Sequence, residues 1–276
     1  MSKHYTSLIS SLFGRFAGTA FPGPIQRAIN RSYVGLMGLN MEEFAPTESY
    51  PSLNRLFTRA LKAQRSIDPD PAAVISPCDA LITDVGTIRE GQAYQIKGMA
   101  YATVGLLGEH YAGEAEGLEG GSYANFYLSP KDYHRYHAPM DLTIESLTHI
   151  PGRLYPVNMP LLRNKLNLFI ENERVVLAVR DAAERRHFLV LVGALNVGKM
   201  VVTFEERVHT NVTPGPARHY RYETPVRLSK GELFGWFEMG STIVMLSEKG
   251  ALEYRLTPGQ KVRFAETIAT LKEESE

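Results

Sequence analysis

The sequence predicts an α+β fold, with an amino-terminal helical region of residues 1–65 followed by a β-rich domain of residues 66–276. Apolar residues recur at helical spacing over residues 5–44, whereas from Val74 onward they form short runs separated by glycine and proline. Hydrophobic residues make up 44% of the chain and charged residues 22%, which is typical of a globular protein. The 30 basic and 30 acidic residues cancel, so no overall field favours nucleic acid as a partner.

The amino-terminal region predicts two helices separated by Pro22-Gly23-Pro24. The apolar positions at helical spacing are Leu8, Ile9, Leu12, Phe13 and Phe16 before this break, and Ile25, Ala28, Ile29, Tyr33, Leu36 and Met37 after it. Arginines flank both groups. These helices either pack on the rest of the protein or lie at a membrane surface with their arginines at anionic headgroups.

A short basic helix is predicted next, with Ser52 as its amino-terminal cap. Its apolar face carries Leu53, Leu56, Phe57 and Leu61. The basic residues are Arg55, Arg59, Lys62 and Arg65, which we interpret as a solvated face, the usual arrangement of such charges.

The remainder of the chain predicts short strands. The runs are Val74–Ile75, Leu81–Ile88, Ser122–Leu128, Leu142–Leu147, Val175–Val179, Phe188–Val192, Met200–Phe204, Leu233–Phe237 and Thr242–Leu246. We expect the segment after Ser241 to supply the last two strands of the β-rich domain. Its apolar residues should then be buried, namely Ile243, Val244, Met245, Leu246, Leu252, Tyr254, Val262 and Phe264.

Gly240-Ser241 lies between two of these strands and has two interpretations. A Gly-Ser pair in this position is usually a turn. However, the Ser241 hydroxyl is one peptide bond from the unshielded Gly240 carbonyl, so a nearby base would allow the serine to cut the chain before itself.

Two polar clusters could supply such a base. The first follows the run 123–128 and contains His134 and His137, which titrate near neutral pH and transfer protons, or which could bind a metal if a third ligand were present. The second is the Ser76–Ala80 segment, in which Asp79 either forms a turn or orients a histidine. Cys78 in this segment is interpreted as a small core residue.

Three stretches of the chain resemble the phosphatidylserine decarboxylase proenzymes. Met239-Gly240-Ser241-Thr242 is similar to the family's Leu-Gly-Ser-Thr cleavage motif, and Tyr127–His137 is similar to its double-histidine motif. Ser76–Ala80 resembles its Pro-x-Asp-Gly motif. Met239 replaces leucine with a similar volume, but Ala80 replaces glycine and would be strained if that position required a positive φ.

The resemblance implies a self-cleaving enzyme. Asp79, His137 and Ser241 would act as a triad that cuts between Gly240 and Ser241, giving a β chain of residues 1–240 and an α chain of residues 241–276. Ser241 would become a covalent pyruvoyl cofactor that forms a Schiff base with the substrate amine, and no metal would be needed. His134 would serve in decarboxylation, as a proton donor or by orienting the substrate carboxylate.

The resemblance also implies the substrate and the partners. Phosphatidylserine would be converted to phosphatidylethanolamine and CO₂ by a peripheral protein on the cytoplasmic face of a bacterial membrane. The α and β chains would stay associated, and the family suggests a homodimer. The open alternatives are a pyruvoyl decarboxylase of another amino-headgroup lipid or soluble amino acid, a non-enzymatic barrel-type carrier or lipid-binding module, and a metal-dependent hydrolase that uses His134 and His137.

Overall fold

The computed structural model describes residues 14–96, 98–195, 199–211, 215–238 and 241–272. Residues 14–18 are helical, while the predicted helical positions Leu8, Ile9, Leu12 and Phe13 lie outside the described residues. The further α-helices are α1 (Gly23–Met37), α2 (Leu53–Phe57), α3 (Thr103–Leu107), α4 (Ala112–Glu116), α5 (Met159–Asn164) and α6 (Leu168–Glu171). Thr47–Ser49 and Glu109–Tyr111 form 3₁₀ turns.

Helix α1 begins at the predicted break. Pro24 fits the first helical turn because its fixed φ suits a helix, and because an N–H at this position would have no partner within the helix. The helix ends at Gly38, which has a φ of 64°. One face of α1 is held by polar contacts, since the buried Asn30 side chain donates to the carbonyls of Thr47 and Tyr50 at 3.1 and 2.9 Å.

Helix α2 confirms the predicted cap, because the Ser52 hydroxyl accepts from the Arg55 N–H at 3.3 Å. The helix ends at Phe57 and does not reach Leu61. The interpretation of its basic residues as a solvated face was only partly right: Arg55 is exposed, but Arg59 is only 2% exposed and the Arg65 side chain is largely covered. Both are held by oxygen atoms of neighbouring segments.

Each of the nine predicted runs overlaps a strand, but the strands Gln92–Ile96, Met99–Ala102, Arg135–His137 and Arg218–Leu228 were not predicted. The strands are β1 (Ala73–Ile75), β2 (Ala80–Thr87), β3 (Gln92–Ile96), β4 (Met99–Ala102), β5 (Ser122–Leu128), β6 (Arg135–His137), β7 (Leu142–Ile150), β8 (Arg174–Arg180), β9 (Arg186–Val192), β10 (Met200–Val202), β11 (Arg218–Leu228), β12 (Leu233–Phe237), β13 (Ser241–Ser247), β14 (Leu252–Tyr254), β15 (Lys261–Val262) and β16 (Thr267–Leu271).

A large antiparallel sheet forms the centre of the protein, with strand order β11-β7-β8-β9-β13-β5-β2-β15. Strand β13 pairs with β5 on one side and with β9 on the other. Smaller sheets have the orders β1-β16-β14, β10-β12-β6 and β3-β4. The α+β fold predicted from the sequence is therefore confirmed.

The segment after Ser241 contributes more strands than the sequence predicted. Within the described residues it supplies four, β13 to β16, rather than two, because β14 and β16 pair in a separate small sheet and β15 extends the edge of the large one. The predicted apolar residues of this segment are buried, except that Tyr254 is only half-buried. None of the described helices has the length and apolar character needed to cross a membrane.

Truncation of one of these residues tests how strongly β13 is held. Leu246 is fully buried and lies opposite Phe188 and Tyr123 in the neighbouring strands. We expect Leu246→Ala to lower the free energy of unfolding by about 2–5 kcal/mol, through lost burial and an unfilled cavity. Denaturant unfolding of a Ser241→Ala background, which keeps the chain in one piece, measures this. Leu36→Ala, at a position 82% exposed, is the control and should change the free energy by less than about 0.5 kcal/mol; equal effects would contradict the assignment of β13 to the core.

Candidate active site

Both sides of the Gly240-Ser241 junction are attached to one loop. On the amino-terminal side, the Phe237 N–H donates to the His134 carbonyl at 2.9 Å. On the carboxyl-terminal side, Ser241 is the first residue of β13 and lies opposite Leu128, the last residue of β5. Residues 129–134 connect these two contact points, so the sequence folds with its predicted cleavage site beside the loop that carries His134.

This loop is shaped by Asp132. Its carboxylate accepts from both the N–H and the hydroxyl of Ser129 at 2.7 Å, while its own N–H donates to the Ser129 carbonyl at 2.9 Å. Aspartate favours such tight turns because it hydrogen-bonds to nearby backbone groups. The Tyr33 hydroxyl of α1 donates to the Pro130 carbonyl at 3.2 Å, which connects the amino-terminal helix to the loop.

His134 is fully buried, and one of its two ring nitrogens has no hydrogen-bond partner among the described residues. Its Nδ1–H donates to the Asp132 carbonyl at 2.8 Å, so Nε2 carries the lone pair. Nε2 has no partner among the described residues. Burial, with a contribution from the Arg59 charge, lowers the pKa of His134 to about 3. The imidazole is therefore neutral at neutral pH and presents an unused nitrogen.

His137 is also neutral, but both of its nitrogens are engaged. Nδ1–H donates to the Gly231 carbonyl at 2.9 Å, and Nε2 accepts from the Tyr133 hydroxyl at 3.0 Å. The ring stacks on Phe264 with 3.7 Å between centroids. Burial lowers the pKa of His137 to about 4. In this structure the Gly231 carbonyl fixes the tautomer of His137.

Asp79 contacts the backbone of the same residue, Phe264. Its carboxylate receives two N–H groups of Arg65, at 2.5 and 3.1 Å, and the Phe264 backbone N–H at 2.7 Å. Arg65 also pairs with Glu43 at 2.9 Å. Asp79 and His137 therefore share Phe264 as a neighbour, but the direct hydrogen bond between them that the resemblance implies is not among the contacts of the described residues.

Two cavities meet at Tyr133. One, of about 720 Å³, is lined by Asp79, Ser129 and Asp132 among others, and the second, of about 510 Å³, is lined by His137. The Tyr133 side chain borders both. Asp79 and His137 thus line two different cavities that share the Tyr133 side chain.

The departure from the family motif at Ala80 causes no strain. Ala80 begins strand β2 and does not have a positive φ, so the position has no need of glycine. Cys78 is fully buried, and burial raises the pKa of its thiol well above the ordinary value. This agrees with its interpretation as a core residue, because only the thiolate is a good nucleophile.

Metal binding by the two histidines finds no support in their geometry. Each Nδ1–H is committed to a backbone carbonyl, and the His137 Nε2 is occupied by Tyr133. Among the residues that the structure describes, no group of three or more His, Cys, Asp or Glu side chains could hold an ion.

Sequence reasoning assigned no role to several residues of this region. Arg59 was interpreted as part of a solvated face, and nothing in the sequence singles out Gly231 as the acceptor for His137. Tyr133 and Phe264 stood within noted segments, and Arg65 in the basic helix, without a function. A buried arginine cannot be told from an exposed one by local sequence when the chain turns immediately after a short helix.

Comparison with known proteins identifies the family of the chain. The sequence model of the family "Phosphatidylserine decarboxylase" matches residues 53–270. A phosphatidylserine decarboxylase proenzyme of Helicobacter pylori is 44% identical over 263 residues, covering 95% of this chain and 96% of the relative. One from Campylobacter jejuni is 44% identical, covering 94% and 97%. One from Marinobacter nauticus is 37% identical, covering 90% and 87%.

The chain belongs to the phosphatidylserine decarboxylase family.

The burial of the two histidines predicts a loss of stability in acid. Their pKa values in the folded protein are about 3 and 4, below the ordinary value of about 6.5. The unfolded chain therefore binds more protons, and stability is lost as pH falls from about 6.5 towards the folded pKa. For His137 we expect a loss of about 2 kcal/mol between pH 6.5 and 4.5.

Denaturant unfolding at these two pH values measures the loss. The loss of unfolding free energy should be about 2 kcal/mol smaller in a Ser241→Ala, His137→Gln chain than in Ser241→Ala alone, since glutamine does not titrate. The same pH dependence in both chains would show that His137 is not neutral and buried.

Proposed function

We propose that the chain is a self-cleaving proenzyme that decarboxylates phosphatidylserine to phosphatidylethanolamine and CO₂. The observation that carries the proposal is the attachment of both sides of the Gly240-Ser241 junction to the loop that bears His134. Family membership supports the reaction, since the relatives above are named phosphatidylserine decarboxylase proenzymes.

Cleavage begins with attack of the Ser241 oxygen on the Gly240 carbonyl carbon. The peptide bond is exchanged for an ester as the Ser241 nitrogen is released. Loss of the Ser241 α-proton then breaks the ester, which leaves Gly240 as a carboxylate and residue 241 with a carbon–carbon double bond. After tautomerisation, water displaces ammonia, and residue 241 becomes a pyruvoyl group at the start of the α chain.

His137 acts as the base and Asp79 supports it in this proposal. A base must be neutral to take the hydroxyl proton, and the buried His137 is neutral. Its Nε2 accepts from Tyr133 in the uncut chain, so accepting the Ser241 proton requires that this hydrogen bond open. Asp79 is kept next to the site by Arg65 and the Phe264 N–H.

The pyruvoyl group would supply a carbonyl that condenses with the substrate amine and takes up the electron pair released with CO₂. The described residues suit a site for it, because β13 starts at residue 241 and the unpartnered His134 Nε2 is buried in the adjoining loop. With Nδ1–H held by the Asp132 carbonyl, His134 gains and gives a proton only at Nε2. We assign to His134 the protonation of the carbon that loses CO₂: its neutral Nε2 first takes the proton that the substrate ammonium group must release to become a nucleophile, and then gives that proton to the carbon.

Peripheral membrane association is the second part of the proposal. Helix α1 leaves Ile25 and Leu36 exposed, at 52% and 82%, together with Met37. Gly38, which ends this helix, lines the cavity of about 720 Å³. An apolar surface beside the cavity suits a lipid whose headgroup enters while its acyl chains stay in the membrane. Homodimer formation enters this proposal through the family resemblance alone.

Intact mass under denaturing conditions tests the processing. The wild-type chain should give fragments 1–240 and 241–276, with the smaller one lighter than a serine-started peptide by one ammonia. Ser241→Ala should stay uncut and inactive on phosphatidylserine because it has no nucleophile, while Ser229→Ala, at an exposed serine, should be processed normally. An uncut wild type, or activity in Ser241→Ala, would favour the carrier, binding-module or hydrolase alternatives.

Charge placed on the exposed apolar surface tests the membrane contact. Ile25→Glu with Leu36→Glu should weaken binding to anionic vesicles about tenfold or more, since each buried apolar side chain contributes roughly 1.5–3 kcal/mol. Vesicle co-sedimentation measures binding, and activity on a water-soluble short-chain phosphatidylserine should be retained. Leu166→Glu is the control, because Leu166 is 63% exposed in the segment between α5 and α6. Equal weakening by the control would contradict the assignment of this surface.

A further inference from the structure

Three neighbouring side chains carry buried polar atoms that have no hydrogen-bond partner among the described residues. They are Nε and Nη1 of Arg59, the Tyr50 hydroxyl and Nε2 of His134. Burial of a polar group without a hydrogen bond costs free energy, so such atoms are scarce in folded proteins unless something else binds them. Their concentration in one place indicates a binding site.

The side chains of Arg59 and His134 are linked through one carbonyl, that of Asp132. The Asp132 carbonyl accepts from the His134 Nδ1–H at 2.8 Å and from Arg59 Nη2 at 3.2 Å, and Arg59 Nη2 also donates to the Lys131 carbonyl at 2.8 Å. Arg59 thus uses one nitrogen to hold the loop. Its Nε and Nη1 have no hydrogen-bond partner among the described residues.

Arg59 forms no ion pair with a carboxylate in the described part of the chain, and its guanidinium lies over the Phe44 ring at 4.4 Å. Burial lowers its pKa, and the charges of Asp79 and Asp132 partly offset this effect, so the arginine remains charged. The edges of a guanidinium that carry two parallel N–H groups are Nε with Nη2 and Nη1 with Nη2, so the free Nε–H and Nη1–H point to different edges. Each can donate one charge-assisted hydrogen bond to an oxyanion.

The Tyr50 hydroxyl complements these donors. Burial raises its pKa, so it stays protonated and can donate. Arg59 also lines the cavity of about 720 Å³ beside Ser129 and Asp132, which gives a ligand access to the site. A polar headgroup fits in a space of this size.

The reaction decides which anion of the substrate belongs here. Phosphatidylserine carries a carboxylate, which is lost, and a phosphodiester, which keeps its charge throughout. A strong arginine contact with the departing carboxylate would stabilise the substrate more than the transition state and slow the reaction. A contact with the phosphodiester is equally strong at every stage and anchors the lipid without this penalty.

We propose that Arg59, with the Tyr50 hydroxyl, binds the phosphodiester of the lipid headgroup and so holds the serine moiety beside His134. This inference rests on the proposed function, because it takes phosphatidylserine as the substrate. Arg59 and Tyr50 then recognise the phosphodiester, which substrate and product share.

Arg59→Lys tests the assignment, because lysine keeps the charge and a donor for the loop carbonyls but loses the Nε–H and Nη1–H donors. With a water-soluble phosphatidylserine, we expect KM to rise about tenfold or more, as for a lost charged hydrogen bond, with a smaller change in kcat. Two competitive inhibitors separate the anions. Glycerophosphocholine carries a phosphodiester but no carboxylate and no free amine, and 3-hydroxypropionate carries only a carboxylate.

Inhibition by glycerophosphocholine should weaken about tenfold in Arg59→Lys, while inhibition by 3-hydroxypropionate should not change. Arg55→Lys, at an exposed arginine of α2, is the matched control and should change neither. Complete self-cleavage of Arg59→Lys shows that it folds; if it fails to mature, Tyr50→Phe carries the test, with a weakening of about threefold or more expected.

Unchanged inhibition by glycerophosphocholine in the mature variants would overturn the proposal, and weakened inhibition by 3-hydroxypropionate alone would assign Arg59 to the carboxylate instead. Failure of the proposed function would appear differently, as a matured wild-type protein that releases no CO₂ from phosphatidylserine.

Discussion

The central position of β13 constrains everything else in this protein. The strand that starts at Ser241 pairs along its whole length with β5 and along most of it with β9, in the middle of the large sheet. Its apolar residues are fully buried. A cut before Ser241 therefore removes one covalent bond but none of the strand pairing, and the α chain would stay in place. After such a cut the sheet, rather than the peptide bond, would hold the two segments together.

The same constraint brings the double-histidine motif next to the start of β13. Strand β5 ends beside the start of β13, so the residues that follow Leu128 are brought to the junction by the register of the sheet. The Asp132 turn then orients His134, and the chain continues into β6, where His137 pairs with β12 on the other side of the junction. One end of the double-histidine motif thus pairs with β13 and the other end with β12, which are the two strands that flank the Gly240-Ser241 junction.

Nine of the sixteen strands in the described residues could be predicted because they depend on local sequence, and local sequence also supplied the candidate residues. Runs of apolar residues marked the strands, and the motifs marked Asp79, His134, His137 and Ser241. The hydrogen-bond partners could not be predicted, because they come from distant segments: Gly231 lies 94 positions from His137 and the Phe264 N–H lies 185 positions from Asp79. The two extra strands after Ser241 were missed for a related reason, since β14 and β15 have only three and two residues and become strands through pairing alone.

A second Asp-His-Ser arrangement shows how function and structure can be told apart. His187 donates from Nε2 to Asp181 at 3.2 Å and accepts at Nδ1 from the Ser247 hydroxyl at 2.8 Å, and all three side chains are buried. Both ring nitrogens are satisfied, as expected of a polar network that fastens β13 to β9. His134 and Arg59 are buried to a similar degree but keep unpaired nitrogens. A ligand can remove such a cost, so we propose the unsatisfied cluster, rather than the complete triad, as the place where the substrate binds.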